Sequence, residues 1–230
     1  IFINTLIISI LKLVCGFPAP IILAILLNEM RNMILKRTIQ TISYLPHFIS
    51  WVILAGMVSE IFSPQRGVFN YIITLFGGKP IYFLASKDWF RPVLVLTQIW
   101  KNAGWGSIIY LATLSSIDIE SYDSATIDGA NRFQKAVHIT IPGLVPVITI
   151  LFILNLGKIL NAGFDQVINL YNPLAYEIAD IIDTYVYRIG LIDAKYDFAS
   201  AVGVFKNVVG VLLIFTSNAV IRKFNEYGIW

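Results

Sequence analysis

The chain has 230 residues, of which 57% are hydrophobic and only 13% are charged. With a mean hydropathy of +0.74, this composition leaves too little polar surface to cover a soluble domain of this size, so the lipid bilayer is the expected solvent. The net charge of +3 is too small to indicate a nucleic-acid partner, and a single cysteine excludes an intrachain disulfide.

Five apolar stretches are long enough to cross a bilayer, which takes about 20 mostly apolar residues in a helix. They are residues 1–27, 42–62, 92–117, 143–164 and 199–221. In the first, Pro18 and Pro20 predict a kink. Because the chain starts with Ile1 inside a span, we expect one further span before it, six in all, and no cleavable signal. The sequence therefore predicts an all-α polytopic membrane protein with one domain over residues 1–230.

Basic residues near the spans indicate which side faces the cytoplasm. Arg31, Lys36 and Arg37 lie on a short connection before the second span, and a basic pair follows the fifth span. Alternation of the spans from these two points places residues 118–142 on the cytoplasmic side and the long loop at residues 68–90 outside.

Residues 118–142 form a polar stretch between two apolar spans. Residues 123–128 predict a short acidic helix, Gly129 is suited to ending it, and residues 130–138 predict a second helix. A proline and a glycine at positions 142–143 are expected to close the second helix, because proline removes a backbone donor. The predicted structure is a helix-turn-helix elbow at the membrane surface.

This elbow resembles the cytoplasmic EAA loop of ABC importer permeases: Glu-Ala-Ala, three residues, Gly, nine residues, Ile, one residue and Leu-Pro. The spacing is kept, although aspartate replaces the glutamate and Ile141 replaces the leucine, which shortens the acidic side chain. The resemblance implies contacts to an ATPase through Asp123, Ser124, Ala125, Asp128, Gly129, Ile139 and Pro142.

Most of the chain is also similar to the maltose-type permeases, in particular to an LplB-like branch that handles oligosaccharides or polysaccharides. The similarity is carried by residues 16–24, 40–48, 104–112, 127–132 and 179–187. It implies a MetI-like, type I importer fold in the bacterial cytoplasmic membrane and transport of carbohydrate by alternating access. It also implies a second related permease subunit, two copies of a cytoplasmic ATPase that bind ATP and Mg²⁺, and an extracytoplasmic solute-binding lipoprotein.

Polar and aromatic residues inside the spans define a candidate path for the solute. They are Lys101, Asn102, Trp105, Tyr110, Asn155, Lys158, Asn161, Asp165, Lys206 and Asn207. The four on the fourth span recur every three or four residues, so a continuous helix puts them on one stripe. Aromatic faces and amides suit sugar rings and hydroxyls, and the lysines suit an acidic sugar. Helix packing, interfacial anchoring and charge pairing between helices explain the same residues, and this alternative stays open.

The sequence contains no catalytic set, no metal-ligand spacing and no phosphate-binding glycine-rich loop. His47 and His138 lie in different regions. This predicts that the chain is not an enzyme, holds no cofactor or metal, and depends on a separate ATPase. Two other classes stay open, a membrane scaffold or sensor that binds a partner through the elbow, and an ion channel along the fourth-span stripe. Neither requires the spacing of the EAA-like motif.

Overall fold

The computed structural model describes residues 1–223, and every regular element among them is a helix. In chain order the helices are α1 (Phe2–Gly16), α2 (Pro18–Asn28), α3 (Met33–Tyr44), α4 (Trp51–Ile61), α5 (Val68–Leu75), α6 (Phe90–Leu114), α7 (Ile119–Ile127), α8 (Arg132–Lys135), α9 (Ile141–Gly157), α10 (Phe164–Leu170), α11 (Tyr176–Ala179), α12 (Ile182–Tyr187) and α13 (Tyr196–Ile221). Two 3₁₀ turns (Leu45–Phe48 and Pro173–Ala175) and two π-helical segments (Ala136–Thr140 and Arg188–Ile192) connect some of them. The predicted all-α fold is confirmed.

Within residues 1–223, three helical stretches are long and apolar enough to cross a membrane, and a bent pair makes a fourth if it is one span. The three are Phe2–Asn28, Arg132–Gly157 and Tyr196–Ile221. The first matches the first predicted span. There Phe17 keeps helical dihedral angles between α1 and α2, so the stretch continues through Pro18, the first residue of α2.

Helix α6 is the centre of the fold and packs against α1, α2, α3 and α9. It has 25 residues, which at 1.5 Å per residue gives about 37 Å, enough to cross a bilayer. Its polar residues make it less apolar than the three stretches above. The span count is therefore consistent with the five predicted spans, with α6 as the third.

The second predicted span, residues 42–62, is wrong as a single helix. The chain turns through 106° between Met33–Phe48 and Trp51–Ile61. Pro46 stands in the 3₁₀ turn, and the Ser50 side chain caps the new helix. Helix α4 has 11 residues, or about 16 Å, roughly half of a bilayer. The preceding basic connection also differs from the prediction, because it folds into α3, none of whose residues is buried.

The fourth predicted span, residues 143–164, ends early. Helix α9 stops at Gly157, and Lys158 has non-helical dihedral angles (φ −100°, ψ 11°). Helix α9 packs closely on α13, since a Cβ on Gly210 would lie 2.5 Å from the Gly157 carbonyl oxygen. The fifth predicted span is confirmed as α13.

Two hydrophobic clusters surround the two ends of α6. At its amino-terminal end, Phe90 and Leu94 are fully buried against residues of α1, α4, α10 and α11. At its carboxyl-terminal end, Tyr110 and Leu114 pack with Ala24 of α2 and Leu144 of α9. The second cluster lies next to the elbow, because Leu114 precedes it in the chain and Leu144 follows it.

Candidate functional site

The first elbow helix is longer than predicted. Helix α7 begins at Ile119, four residues before Asp123, because the Asp118 side chain accepts a hydrogen bond from the backbone N–H of Glu120 at 3.0 Å. Such a cap satisfies one of the free donors at the start of a helix. The acidic residues of the motif therefore lie in the middle and at the end of α7.

Gly129 ends α7 as predicted, in the left-handed conformation with φ +79°. The Gly129 N–H donates to the Thr126 carbonyl (3.1 Å), and the Ala130 N–H donates to the Ala125 carbonyl (2.9 Å). This pair of bonds is a Schellman motif, which turns the chain sharply and satisfies the last carbonyls of the helix. The direction in which the elbow leaves α7 thus depends on the φ angle of Gly129.

The second elbow helix does not close at Ile141 and Pro142, and this prediction is wrong. Helix α8 starts at a capping box between Asn131 and Gln134. It continues through the π-helical segment into α9, so that Arg132–Gly157 is one helical stretch. In the π-helical segment the Ile141 N–H donates to the Ala136 carbonyl, five residues back. Pro142 stands at the start of α9, where a missing donor is tolerated.

Two side-chain hydrogen bonds hold the two halves of the elbow together. The Lys135 ammonium donates to the Thr126 hydroxyl at 2.6 Å, and the Tyr122 and Thr140 hydroxyls are 3.0 Å apart. Thr140 is fully buried. The elbow is therefore a fixed joint between α7 and α9.

The elbow presents most of its motif residues to solvent. Asp123, Ser124, Asp128, Gly129 and Pro142 are exposed, whereas Ala125 and Ile139 are half-buried. Three large apolar side chains of the elbow protrude beside them, namely Ile119 (73% exposed), Ile127 (87%) and Phe133 (77%). Apolar side chains this exposed, on a segment whose polar residues are also exposed, are typical of a protein contact surface.

A cavity of about 470 Å³ opens between α1, α2, α6 and the end of α9. Its polar lining residues are Ser9, Lys12, Gln98, Asn102, Tyr110, Asn155, Lys158 and Asn161. The structure thus brings together five of the ten predicted path residues, from both the third and the fourth spans. Their role in contacting a solute remains a prediction.

The predicted stripe on the fourth span does not exist as a helical face. Asn155 lies in the last turn of α9, Lys158 and Asn161 lie beyond its end, and Asp165 lies in the first turn of α10. Helix α9 ends at Gly157, a turn follows, and Gly163 with φ +90° precedes α10. The turn still directs three of the four residues to the cavity, and Asp165 does not line it.

The structure uses Lys101 differently from the prediction. Its ammonium is buried and donates to the carbonyl oxygens of Pro46 (3.3 Å), His47 (2.9 Å) and Ile49. An ammonium has three donors, so none remains for a solute. Lys101 holds the bend between α3 and α4 and does not line the cavity.

Replacing Lys101 by methionine is expected to destabilise the protein by about 2–4 kcal/mol, because three carbonyls at the bend lose their donor. Thermal unfolding of the purified protein measures this. The matched control is Lys158→Met, since the Lys158 side chain is exposed and has no hydrogen bond or ion pair among residues 1–223. Equal unfolding temperatures for the two variants would contradict the proposed role of Lys101.

Trp105, Lys206 and Asn207 also lie away from the cavity. Trp105 stacks on His47 with ring centroids 4.7 Å apart. Lys206 forms an ion pair with Asp183 of α12, and Asn207 is exposed on α13. For Lys206, the alternative of charge pairing between helices is therefore the one that the structure shows.

Three polar cavity residues were not predicted as path residues, namely Gln98 on α6 and the pair Ser9 and Lys12 on α1. The spacing of three between Ser9 and Lys12 places both on one face of α1, and a lone lysine in an apolar span is the signal that identifies this face. Lys12 is the only charged residue among residues 1–27, but the sequence alone does not show which neighbouring helix this face meets. In the structure Lys12 meets Gln166 of α10 at 2.5 Å.

A separate polar cluster fixes the segment between α10 and α13. The Arg188 guanidinium donates to both carboxylate oxygens of Asp180, at 2.9 and 2.7 Å, and this bonding raises the pKa of Arg188. Nearby, the hydrogen bond from Lys87 lowers the pKa of the exposed Glu177. The cluster orders the loops at the end of the molecule away from the elbow.

Comparison with known proteins identifies the class that this elbow and these spans define. Residues 16–226 match the family described as "Binding-protein-dependent transport system inner membrane component". The chain belongs to this family and is a multi-pass inner-membrane permease of the ABC transporter class.

Individual relatives cover nearly the whole chain. It is 46% identical to the protein LplB of Bacillus subtilis (strain 168) over 227 residues, which are 99% of this chain and 71% of that protein. It is 44% identical to the polygalacturonan/rhamnogalacturonan transport system permease protein YteP of the same organism, over 99% of this chain and 71% of YteP.

A solved structure, that of a bacterial alginate ABC transporter in complex with an alginate pentasaccharide-bound periplasmic protein, contains a similar chain. The TM-score is 0.94 with 45% identity, and the match covers 99% of this chain and 79% of the other. This likeness confirms the predicted type of permease fold. None of these relatives supports the scaffold or channel alternatives.

Proposed function

We propose that this chain is the permease subunit of an ATP-driven importer that takes up oligosaccharides or fragments of polysaccharides. The observation that carries the proposal is the elbow, a solvent-facing acidic and apolar surface rigidly continuous with a spanning helix. The relatives indicate the class of solute, because one is a permease for polygalacturonan or rhamnogalacturonan and another belongs to an alginate transporter. Carbohydrate is therefore the solute class proposed here.

The proposed assembly contains a second related permease subunit, two copies of a cytoplasmic ATPase and an extracytoplasmic solute-binding lipoprotein. In it ATP and Mg²⁺ bind to the ATPase, and this chain has no ATPase site and no cofactor of its own. The elbow faces the cytoplasm, where Asp123 and Asp128 pair with basic residues of the ATPase. Residues 1–230 act as one permease domain.

Transport follows from movement of the elbow. Closure of the two ATPase copies draws the α7 helices of the two permease subunits together. Because Gly129 and two hydrogen bonds fix α7 to the stretch Arg132–Gly157, this stretch moves with α7. The cavity lies at its other end, next to Asn155 and Lys158, and the movement opens the cavity to the binding protein. Alternation between the two states carries the solute across.

Reconstitution of the complete complex in liposomes tests this function. We expect ATP hydrolysis to rise severalfold when binding protein loaded with an oligosaccharide is added, and labelled sugar to accumulate in the lumen only with ATP. Liposomes that lack this chain are the control. Hydrolysis that does not respond to any loaded binding protein, together with absent uptake, would contradict the proposal. Ion conductance without sugar uptake would instead support a channel.

A further inference from the structure

Helix α5 turns an apolar face outward and a polar residue inward. Four apolar residues with the i, i+3, i+4, i+7 spacing of one helical face are exposed, namely Val68, Tyr71, Ile72 and Leu75. Phe76, directly after the helix, is 88% exposed. Among the residues of α5 only Asn70 is buried. This pattern is the reverse of that of a helix whose outer face meets water.

The buried amide of Asn70 fixes this orientation. Its side chain donates to the carbonyl oxygens of Ser63 (3.0 Å) and Ile81 (2.9 Å), and it accepts a hydrogen bond from the Ile81 N–H (2.7 Å). These bonds join the turn before α5 to the chain that follows it. Rotation of α5 about its axis would break all three and leave buried polar groups unpaired, which is costly. The apolar face is therefore held outward.

Aromatic packing places α5 at the level where α6 begins. The rings of Phe69 and Phe83 have centroids 6.5 Å apart, and Phe83 belongs to the buried cluster that contains Phe90, the first residue of α6. The elbow follows the opposite end of α6. Because a helix of this length reaches from one surface of a bilayer to the other, α5 lies at the surface away from the elbow.

The segment around α5 carries only positive charge. Residues 61–87 contain Arg66, Lys79 and Lys87 and no aspartate or glutamate. Lys87 pairs with Glu177. The exposed side chains of Arg66 and Lys79, by contrast, have no hydrogen bond or ion pair within the described part of the chain. Two unpaired cations therefore accompany the outward apolar face, and they favour an anionic partner.

A cavity of about 350 Å³ opens between α5 and the turn that precedes it. Arg66 lines this cavity together with Tyr71 and Thr74, which carry hydroxyl groups. Val68 and Tyr71 belong both to the cavity and to the apolar face. A guanidinium and hydroxyl groups directly beside an apolar surface match a phospholipid, which carries its phosphate next to its acyl chains.

Exposed aromatic residues on the same loop also fit a lipid partner. Tyr82 and Trp89 are exposed, as is Tyr71, and tyrosine and tryptophan are enriched where a membrane meets water. The combination of an apolar face, interfacial aromatic residues and unpaired cations favours a lipid leaflet over a protein as the occupant.

We propose that α5 lies in the bilayer interface on the side away from the elbow, with its apolar face among the lipids and Arg66 bound to a lipid phosphate. Such a helix lies in the plane of the membrane, with its apolar face buried by about 5–10 Å. Because α4 crosses only about half of the bilayer, α5 anchors the end of α4 that the bend does not fix.

The test measures the surroundings of single spin labels on the complete complex in liposomes that contain phosphatidylglycerol. Cys15 is the one cysteine of the chain, so Leu75→Cys and Phe76→Cys are each combined with Cys15→Ser, in a complex whose other subunits lack reactive cysteines. The control is Asp193→Cys, an exposed acid directly after a π-helical segment. Electron paramagnetic resonance compares collisions of each label with oxygen, which concentrates in lipid, and with a water-soluble nickel chelate.

We expect oxygen to reach the labels at positions 75 and 76 severalfold more often than the nickel chelate does, and the reverse at position 193. Adding Arg66→Glu should raise the nickel collisions of the Phe76→Cys label severalfold, because a carboxylate repels lipid phosphates. Adding Arg66→Lys, which keeps the charge, should leave them unchanged. Only variants whose ATP hydrolysis and unfolding temperature match those of the unmodified complex are compared.

Low access of both reagents to position 75 would show that a protein surface covers α5, and high access of the nickel chelate would show that α5 faces water. Either result would overturn the proposal, and an Arg66→Glu variant without effect would remove the phosphate contact. The measurement needs no solute, so its outcome does not depend on the proposed function.

Discussion

Replacing Gly129 by valine is expected to lower sugar uptake at least tenfold while the assembled complex continues to hydrolyse ATP. A β-branched residue at φ +79° carries about 1–3 kcal/mol of backbone strain, and the turn relieves this strain by changing its dihedral angles. Steric overlap of the Cβ does not add to this strain, since no heavy atom lies within 4 Å of a Cβ at this position. The expected defect is therefore a change in the angle between α7 and α9.

Gly77 provides a matched control for this variant. It also has φ +79°, also has no atom within 4 Å of its Cβ position, and closes α5 with the same pair of backbone bonds. Gly77→Val thus adds the same strain outside the elbow. Uptake and phosphate release are measured for both variants in liposomes, with thermal unfolding to match their stabilities. Equal uptake by the two variants would contradict the role of Gly129 in coupling.

Replacing Gly104 by alanine is expected to destabilise the protein by about 3 kcal/mol or more, the upper part of the range for overpacking. An added Cβ would lie 2.0 Å from the carbonyl oxygen and 2.3 Å from the carbonyl carbon of Ser43. Both are backbone atoms of α3, so the overlap is relieved only by moving α3 away from α6. We expect a lower unfolding temperature and a lower yield of monodisperse protein in detergent.

Gly56→Ala is the control for that substitution. Gly56 is an exposed residue in the middle of α4, and no atom lies within 4 Å of its Cβ position. Alanine is a better helix former than glycine by about 1 kcal/mol, so the unfolding temperature should stay the same or rise slightly. If Gly104→Ala behaves like Gly56→Ala, the close contact between α3 and α6 is not as described.

Local signals in the sequence were sufficient to predict the turn of the elbow and several of the spans. A glycine at the end of an acidic segment predicts a left-handed helix end, and Gly129 has that conformation. Long apolar runs predict α1 with α2, and α13, because the length of a membrane span depends on the sequence of that span alone. These features need no information about neighbouring helices.

The breaks inside spans were not predictable in the same way. The bend after Pro46 is held by Lys101, which lies 55 residues further along the chain. The early end of α9 coincides with its close contact with Gly210 on α13. Conversely, Pro142 did not end a helix, because a π-helical segment precedes it. In each case a tertiary contact or a local change of hydrogen bonding overrode the hydropathy pattern.

The helical stretch Arg132–Gly157, 26 residues long, connects the elbow to the cavity. At 1.5 Å per residue it is about 39 Å long, and a tilt of about 10° around its midpoint displaces each end by roughly 3 Å in opposite directions. Phe133 at one end faces solvent, and Asn155 at the other lines the cavity. A tilt of the stretch around its midpoint therefore moves the cavity end in the direction opposite to the elbow end.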